Sequence, residues 1–393
     1  MIVLALAGKP NSGKSTFFKA ATLAEIEIAE YPFTTIKANR GIAYVRRECP
    51  CVDREKRCGN SHCRNGKRYI PIELIDVAGL VPDAHLGRGL GNQFLDDLMN
   101  ADAIINLIDI SGRTNEEGEL VEIGKYDPIQ ELTFIKREIE LWLAGVIKRN
   151  WANIERASRG PKFNIETSIA SVVSGLGIKS QDILHCLKEM EYPPMPSEWA
   201  DGDYEQLACL LREVSKPLIV IANKIDIAPE ESIKQLTGIE KDVLIASSQY
   251  ELILRKGSER GIIQYDPGDE TFEIIGEITA EQEEGLNEIG KMMERYRGTG
   301  LQNALDRIVY REMGMITVFP VENEAKWIDG RGNTLPDAYL MKNGSTPRDL
   351  AYEVHTDIGD GYLYAIDARL NRRISEDQIL KDGDIIKIVS AAK

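Results

Sequence analysis

The sequence predicts an α/β fold: a parallel sheet flanked by helices, interrupted by a helical insertion and followed by a smaller strand-and-helix unit. Short apolar runs at 2–6, 70–75, 103–108, 218–221 and 243–245 alternate with stretches of helical spacing. That alternation places strands in parallel with helices on both faces. Three of the runs end in polar motifs, as expected where ligands gather at the carboxyl ends of strands. Between Asp109 and Lys216 the apolar period turns helical, so that segment reads as an insertion rather than part of the sheet.

Taken in order, the first run reads as a buried strand. It is too short for the apolar core of a secretion signal, and Gly8, Lys9 and Pro10 follow at once. The insertion, expected over 113–214, carries Ile135, Ile139, Trp142, Leu143 and Val146, then Ile165, Ile169, Val172 and Leu176. Trp142, Trp151 and Trp199 are expected to pack it. The α/β domain is expected to resume over 215–250, and a second helical stretch over 251–313 to complete it. From about Gly314 to the end at 393, strands at 316–319 and 385–389 flank a helix start at Thr346-Pro347-Arg348-Asp349. There a capping threonine, a proline at the first helical position and a carboxylate three residues after the cap coincide.

Composition narrows the function. At 393 residues the chain exceeds what one core usually serves. A formal net charge of -15 repels phosphate backbones over most of the surface. Sequence-specific DNA binding is therefore not expected, and any RNA contact must be local. The sequence has no apolar stretch of membrane-spanning length, so a cytoplasmic protein without a membrane partner is expected.

Residues 8–15 spell GxxxxGKS between a strand and a helix-like stretch. Gly8, Pro10, Asn11, Ser12, Gly13, Lys14, Ser15 and Thr16 then form a phosphate loop, in which backbone N–H groups and a helix N-terminus face an anion. Lys14 is expected to reach the β- and γ-phosphates and the Ser15 hydroxyl to ligate Mg2+. Asp76, with Gly79 three residues on, closes another strand, where a carboxylate can hold Mg2+ through water and a glycine N–H can meet the γ-phosphate. Asn223-Lys224-Ile225-Asp226 follows a third. Asp226 can accept from N1–H and the 2-amino group of guanine, which adenine lacks. Lys224 can lie along the base and Asn223 can tie this loop to the phosphate loop. Ala246, Ser247 and Ser248 offer a backbone N–H to the guanine oxygen.

These motifs resemble the TRAFAC-class GTPases, a P-loop NTPase G-domain fold. Tyr31-Pro32-Phe33-Thr34-Thr35-Ile36 narrows the resemblance to the Obg-like group, in its archaeal and eukaryotic branch allied to YchF proteins. The resemblance implies that Thr35 completes the Mg2+ shell. It also implies that residues 76–81 and the glycine-rich 87–91 form the second switch. Many YchF proteins lack the guanine-reading aspartate and use ATP, whereas Asp226 stands here. Leu80 occupies the place where Ras-like enzymes carry a water-orienting glutamine. This resembles GTPases that depend on K+, and Asn11 stands at the asparagine position that holds that ion. His85, and less so Arg88, are candidates for positioning water or neutralising phosphate charge.

Cys49, Cys51, Cys58 and Cys63 lie in one short polar segment. They read as ligands of a metal such as Zn2+, as reduced exposed thiols, or as a disulfide pair. Cys186 and Cys209 sit in helical, apolar surroundings and read as packing residues. Residues 340–351, 354–359 and 380–388 resemble a TGS domain, a small β-grasp module, which implies an RNA or ribosome link. His355 reads there as structural, and Arg369, Arg372 and Arg373 as the most plausible basic patch. The leading reading is a slow GTPase switch that binds GTP and GDP and associates with the ribosome or structured RNA. An ATP-hydrolysing protein of YchF type and a non-catalytic nucleotide-binding scaffold are the alternatives.

Overall fold

The computed structural model describes residues 1–22, 39–54, 57–77, 79, 82–87, 91–240 and 242–391. The chain divides into two compact units, one formed by Val3–Ile42 with Glu73–Ala304, the other by Met1–Ile2, Ala43–Ile72 and the chain from Leu305 onward.

The larger sheet is built from β1 (Val3–Ala7), β2 (Asn39–Glu48), β3 (Cys63–Arg64), β4 (Lys67–Asp76), β5 (Ala103–Asp109), β6 (Leu218–Asn223) and β7 (Leu244–Ala246). Its order is β2-β4-β1-β5-β6-β7, with β3 on β4. β1, β4, β5, β6 and β7 run parallel, and the register aligns their carboxyl ends: Leu6 pairs with Asp76, Ala7 with Asn106, Asp109 with Asn223, and Asn223 with Ala246. Every residue of β5 is buried. A run of Ala-Ile-Ile-Asn-Leu-Ile-Asp suits a central strand covered on both faces.

The insertion is helical. α1 (Lys14–Thr22) and α2 (Gly91–Met99) precede it, and α3 (Phe134–Ala157), α4 (Ile165–Val173), α5 (Ser180–Glu189) and α6 (Asp201–Ser215) form it. Ile135, Ile139, Trp142 and Leu143 fall on the buried stripe of α3, as their spacing requires. Trp151 stacks near Trp199 with ring centroids 4.4 Å apart and donates its Nε1–H to Pro196 O at 2.7 Å. Cys186 is fully buried in the same core, and Cys209 is half-buried.

Beyond β7 the stretch expected to be helical is so for the most part, with a short strand pair inside it. α7 (Glu230–Ile239) precedes it; then α8 (Ser248–Glu259), the antiparallel pair β8 (Ile263–Gln264) and β9 (Glu273–Ile274), α9 (Ala280–Tyr296) and α10 (Leu301–Arg307) follow. The Tyr265 hydroxyl, which follows β8, folds back to donate to the buried Glu251 of α8 at 2.7 Å.

The other unit carries β10 (Met315–Val321), β11 (Tyr339–Lys342), α11 (Pro347–Val354), α12 (Thr356–Asp360), β12 (Tyr362–Asp367), β13 (Arg372–Ile374) and β14 (Ile385–Ser390), with strand order β11-β10-β14-β12-β13. Thr346 caps α11, with the Asp349 carboxylate accepting the Thr346 N–H at 2.8 Å. His355 is structural: its Nδ1 accepts the Asp357 N–H at 3.1 Å and so caps α12. Residues 43–72, expected inside the α/β domain, instead pack here. The Arg46 N–H donates to Asp306 at 2.6 Å, Arg47 pairs with Asp382 at 3.1 Å, and Cys49 and Cys51 share a core with Phe319 and Trp327. Within the basic patch, Arg369 pairs with Asp53 and Arg373 lies over the Tyr364 ring. Among the described residues, no helix is long and apolar enough to cross a membrane.

Candidate nucleotide-binding site

The phosphate loop leaves β1 at Gly8 and enters α1 at Lys14. Two of its glycines are obligatory. Gly8 has φ +143, and a Cβ there would sit 2.4 Å from Leu107 O; Gly13 has φ +98, and a Cβ there would sit 2.2 Å from Asn223 Nδ2. Asn11 adopts φ +62, the left-handed conformation that asparagine tolerates better than most residues. The Lys14 ammonium lies along the loop, donating to Gly8 O at 3.0 Å and Lys9 O at 2.6 Å. Burial pulls its pKa down to about 8, opposed by Asp76 and Glu131. A buried ammonium whose hydrogen bonds among the described residues go to carbonyls is the group a polyphosphate would compensate.

The Ser15 hydroxyl donates to Asp76 Oδ2 at 3.0 Å. Burial raises the Asp76 carboxyl above its ordinary value, opposed by Ser15 and Lys14. This exposed hydroxyl beside a largely buried carboxylate fits a hard, oxygen-seeking cation such as Mg2+. Gly79 closes on the same loop, since a Cβ there would come 2.7 Å from Pro10 N. Thr16 lies in the first turn of α1. Thr35, Leu80 and Arg88 lie outside the described residues.

The base-reading loop is locked to the phosphate loop. Asn223 donates through Nδ2 to Ser12 O at 3.0 Å, and its Oδ1 accepts from Ser248 N at 3.1 Å and Ser248 Oγ at 2.8 Å. Lys224, at φ +67, donates to Asn11 O at 2.6 Å and pairs with Asp109 at 2.7 Å. Asp226 accepts the Ser247 hydroxyl on Oδ1 at 2.7 Å. The Ile225 N–H donates to Ala246 O at 3.3 Å and the Ser247 N–H to Thr299 O at 2.9 Å. The site residues from the phosphate loop and the base-reading loops therefore converge on the carboxyl edge of one sheet.

Other residues carry this geometry without a motif to announce them. Asp109 is wholly buried at the end of β5 and accepts from Ser111, Thr114 and Lys224; its place at a strand end is the signal that could have found it. Lys9 is buried against Tyr126, donating to its hydroxyl at 2.8 Å, and stands 3.5 Å from Glu131. Gly118, with φ +83, brings its loop onto Pro10, and its carbonyl accepts from Asn11 Nδ2 at 3.0 Å. His85 is held by Glu138 of α3, which accepts both its backbone N–H at 2.9 Å and its ring Nδ1 at 2.8 Å. That arrangement anchors the ring to the insertion and favours a structural role.

A glycine-lined phosphate loop, a hydroxyl–carboxylate pair suited to Mg2+ and a carboxylate held beside that loop on one sheet edge point to a P-loop nucleotide-binding protein. Residues 3–137 match the family described as 50S ribosome-binding GTPase, residues 221–323 the family described as Obg-like GTPase YGR210-like, G4 motif-containing domain, and residues 332–390 the TGS domain. The chain is 44% identical to a GTP-binding protein of Methanocaldococcus jannaschii, with 100% of both chains covered. It is 28% identical to the ribosome-binding ATPase YchF of Bacillus subtilis over 97% of each. A crystal structure of a GTP-binding protein from Pyrococcus horikoshii superposes with a TM-score of 0.79 at 35% identity, covering 100% of both. The chain belongs to the Obg-like, YchF-related GTPases, with a G domain and a C-terminal TGS domain. It is accordingly a GTP-binding nucleotide hydrolase.

Proposed function

We propose that this protein is a guanine-nucleotide switch that hydrolyses GTP slowly to GDP and phosphate and associates with ribosomes or structured RNA in one nucleotide state. Asp226 carries the guanine reading. Its Oδ1 is fixed by Ser247, and its Oδ2 has no hydrogen-bond partner among the described residues. The carboxylate is half-buried, and that oxygen is left to accept the N–H edge of guanine. Lys14 and the loop amides bind the phosphates, and Ser15 and Asp76 would hold Mg2+, which neutralises phosphate charge when bound. Leu80 offers no group to orient water, which supports a slow intrinsic rate. Asn11 commits its amide nitrogen to Gly118 O and keeps its oxygen for K+. Equal turnover in sodium and potassium salts would remove the K+ ligand role.

Asp226→Asn should weaken GTP binding by about 3 kcal/mol, some hundredfold, by losing two charge-assisted hydrogen bonds. The same change should improve XTP binding, whose 2-oxo group suits an amide donor. Calorimetry with GTP, ATP and XTP decides: an unchanged GTP-over-XTP preference refutes the reading. The ribosome link is supported by the printed names of the B. subtilis relative and of the family matched by residues 3–137. Co-sedimentation with separated ribosomal subunits in GTP-analogue and GDP states tests it, and binding in neither state refutes it. The word ATPase in the B. subtilis name favours a second reading, ATP hydrolysis. ATP binding as tight as GTP binding would establish that reading instead.

A further inference from the structure

We propose that Cys49, Cys51, Cys58 and Cys63 hold a single zinc ion, and that this ion fixes residues 49–63 to the C-terminal part of the same compact unit. The four sulfur atoms lie within 4.8 Å of one another. Cys51 and Cys63 are 3.7 Å apart at sulfur, and Cys49 and Cys58 are 4.0 Å apart. A zinc ion bound at about 2.3 Å by four thiolates sets its sulfurs about 3.8 Å apart, which these edges match. A disulfide would need about 2.05 Å. A polynuclear iron–sulfur cluster, with each thiolate on a separate iron, would hold the sulfurs farther apart.

The ligands come from structured backbone. Cys49 and Cys51 flank Pro50 at the end of β2, and the Cys49 N–H donates to Gly66 O at 2.8 Å. Cys58 precedes Gly59, whose φ of +70 turns the chain, and Cys63 opens β3 with its N–H on Asn60 O at 2.9 Å. Cys49 and Cys51 are fully buried, so exposed reduced thiols describe at most Cys58 and Cys63.

Charge gives an independent argument. Arg68 is buried, and among the described residues no carboxylate pairs with it. Its Nη2 stands 3.8 Å from the Cys49 sulfur and 3.9 Å from the Cys58 sulfur, and its Nε has no hydrogen-bond partner. A guanidinium buried without an anion is costly. Four thiolates around a divalent cation carry a net negative charge and supply that anion. The same guanidinium donates to Leu335 O at 2.7 Å, and Asn60 donates to Pro336 O at 2.9 Å. The thiolate loop is thereby joined to the chain that enters β11, and the sulfurs pack on Phe319, Trp327 and Leu335. With four protein ligands and no open position, the ion is structural.

The full-length protein, grown with zinc and purified without chelator, should contain about one zinc per chain by elemental mass spectrometry. Cobalt in its place should give the charge-transfer and d–d bands of a tetrahedral thiolate site. Cys58→Ser should lose the zinc while keeping GTP affinity, which certifies its G domain, and Cys209→Ser should keep both. Removing the ion with an organomercurial, then stripping the mercury from the thiolates with excess dithiothreitol, should lower the melting temperature of the wild type, and one equivalent of zinc should restore it. Wild type with less than about a tenth of an equivalent of zinc, or zinc retained by Cys58→Ser, overturns the proposal. About one equivalent of iron instead of zinc overturns the choice of metal.

Discussion

Glu131→Gln should flatten the stability of the folded protein against pH. Glu131 is buried beside Lys9, whose Nζ lies 3.5 Å from Oε1, too far for a hydrogen bond. Burial pushes its carboxyl up to about 7; Lys9 opposes the shift and Asp109 adds to it. The ordinary value of 4.5 applies in the unfolded chain. Between these values the folded state keeps a proton that the unfolded state has released, so stability falls as pH rises from about 4.5 to about 7 and stays low above it. A difference of about 2.5 units at 1.36 kcal/mol per unit sets an upper bound of about 3 kcal/mol. Glutamine keeps the shape and cannot ionise, while Lys9 retains the Tyr126 hydroxyl at 2.8 Å and its ring at 4.1 Å. Denaturant titrations of nucleotide-free wild type and variant, at intervals between about pH 5 and pH 8, give the comparison. The variant should gain on the wild type as pH rises and level off above about pH 7. A difference that is constant with pH, or that shrinks as pH rises, would refute the reasoning.

Gly118→Ala puts a methyl 2.7 Å from the Pro10 side chain at a φ of +83. Moving that loop off Asn11 should weaken GTP binding by about 1–2 kcal/mol, or roughly five- to thirtyfold by calorimetry, with little change in fold. Gly300→Ala, at φ +84, would place a Cβ 1.9 Å from Ile245 O; both the melting temperature and the GTP affinity should drop, because Thr299 O holds the Ser247 N–H. Trp151→Ala should cost about 3–5 kcal/mol in denaturant titration and leave the GTP dissociation constant unchanged, since its ring and hydrogen-bond partners Trp199, Tyr204 and Pro196 lie in the insertion.

What the sequence showed follows from where its signals are local. The glycine pattern at 8–13 and the Asn223–Asp226 string are short and each directly follows a strand, so motif and strand end suffice to place them, although the bonds that join the two loops could not be read from the chain. β2 escaped notice because Asn39–Glu48 alternates weakly and carries Arg40, Arg46 and Arg47; its partners Asp306 and Asp382 for the last two are more than two hundred residues away. The same distance hid the membership of 43–72 in the C-terminal unit. Glu131 and Lys9 gave no warning, since a lone charged residue reads as solvated until burial is known. The cysteines were legible as a group, but their geometry was not: their spacing fits no standard pattern, and only the fold brings the four sulfurs within 4.8 Å of one another with Arg68 beside them.

The buried Asn223 ties the loop that carries Asp226 to the phosphate loop. Asn223 has three committed hydrogen bonds, one to the phosphate loop at Ser12 and two to Ser248 at the start of α8. Gly13 presses against the same amide. Lys224 bridges the loops a second time, reaching Asn11 O on one side and the buried Asp109 on the other. A displacement of the base-reading loop that breaks the Asn223 bonds leaves buried donors and acceptors unsatisfied, at about 1–3 kcal/mol each. Neither loop can therefore relax alone. If Asp226 reads the base as proposed, a poor fit there would strain the Asn223 bonds, and the cost would fall on Ser12 and Gly13. Discrimination between bases would then read out as affinity for the whole nucleotide, with the asparagine as the mechanical link.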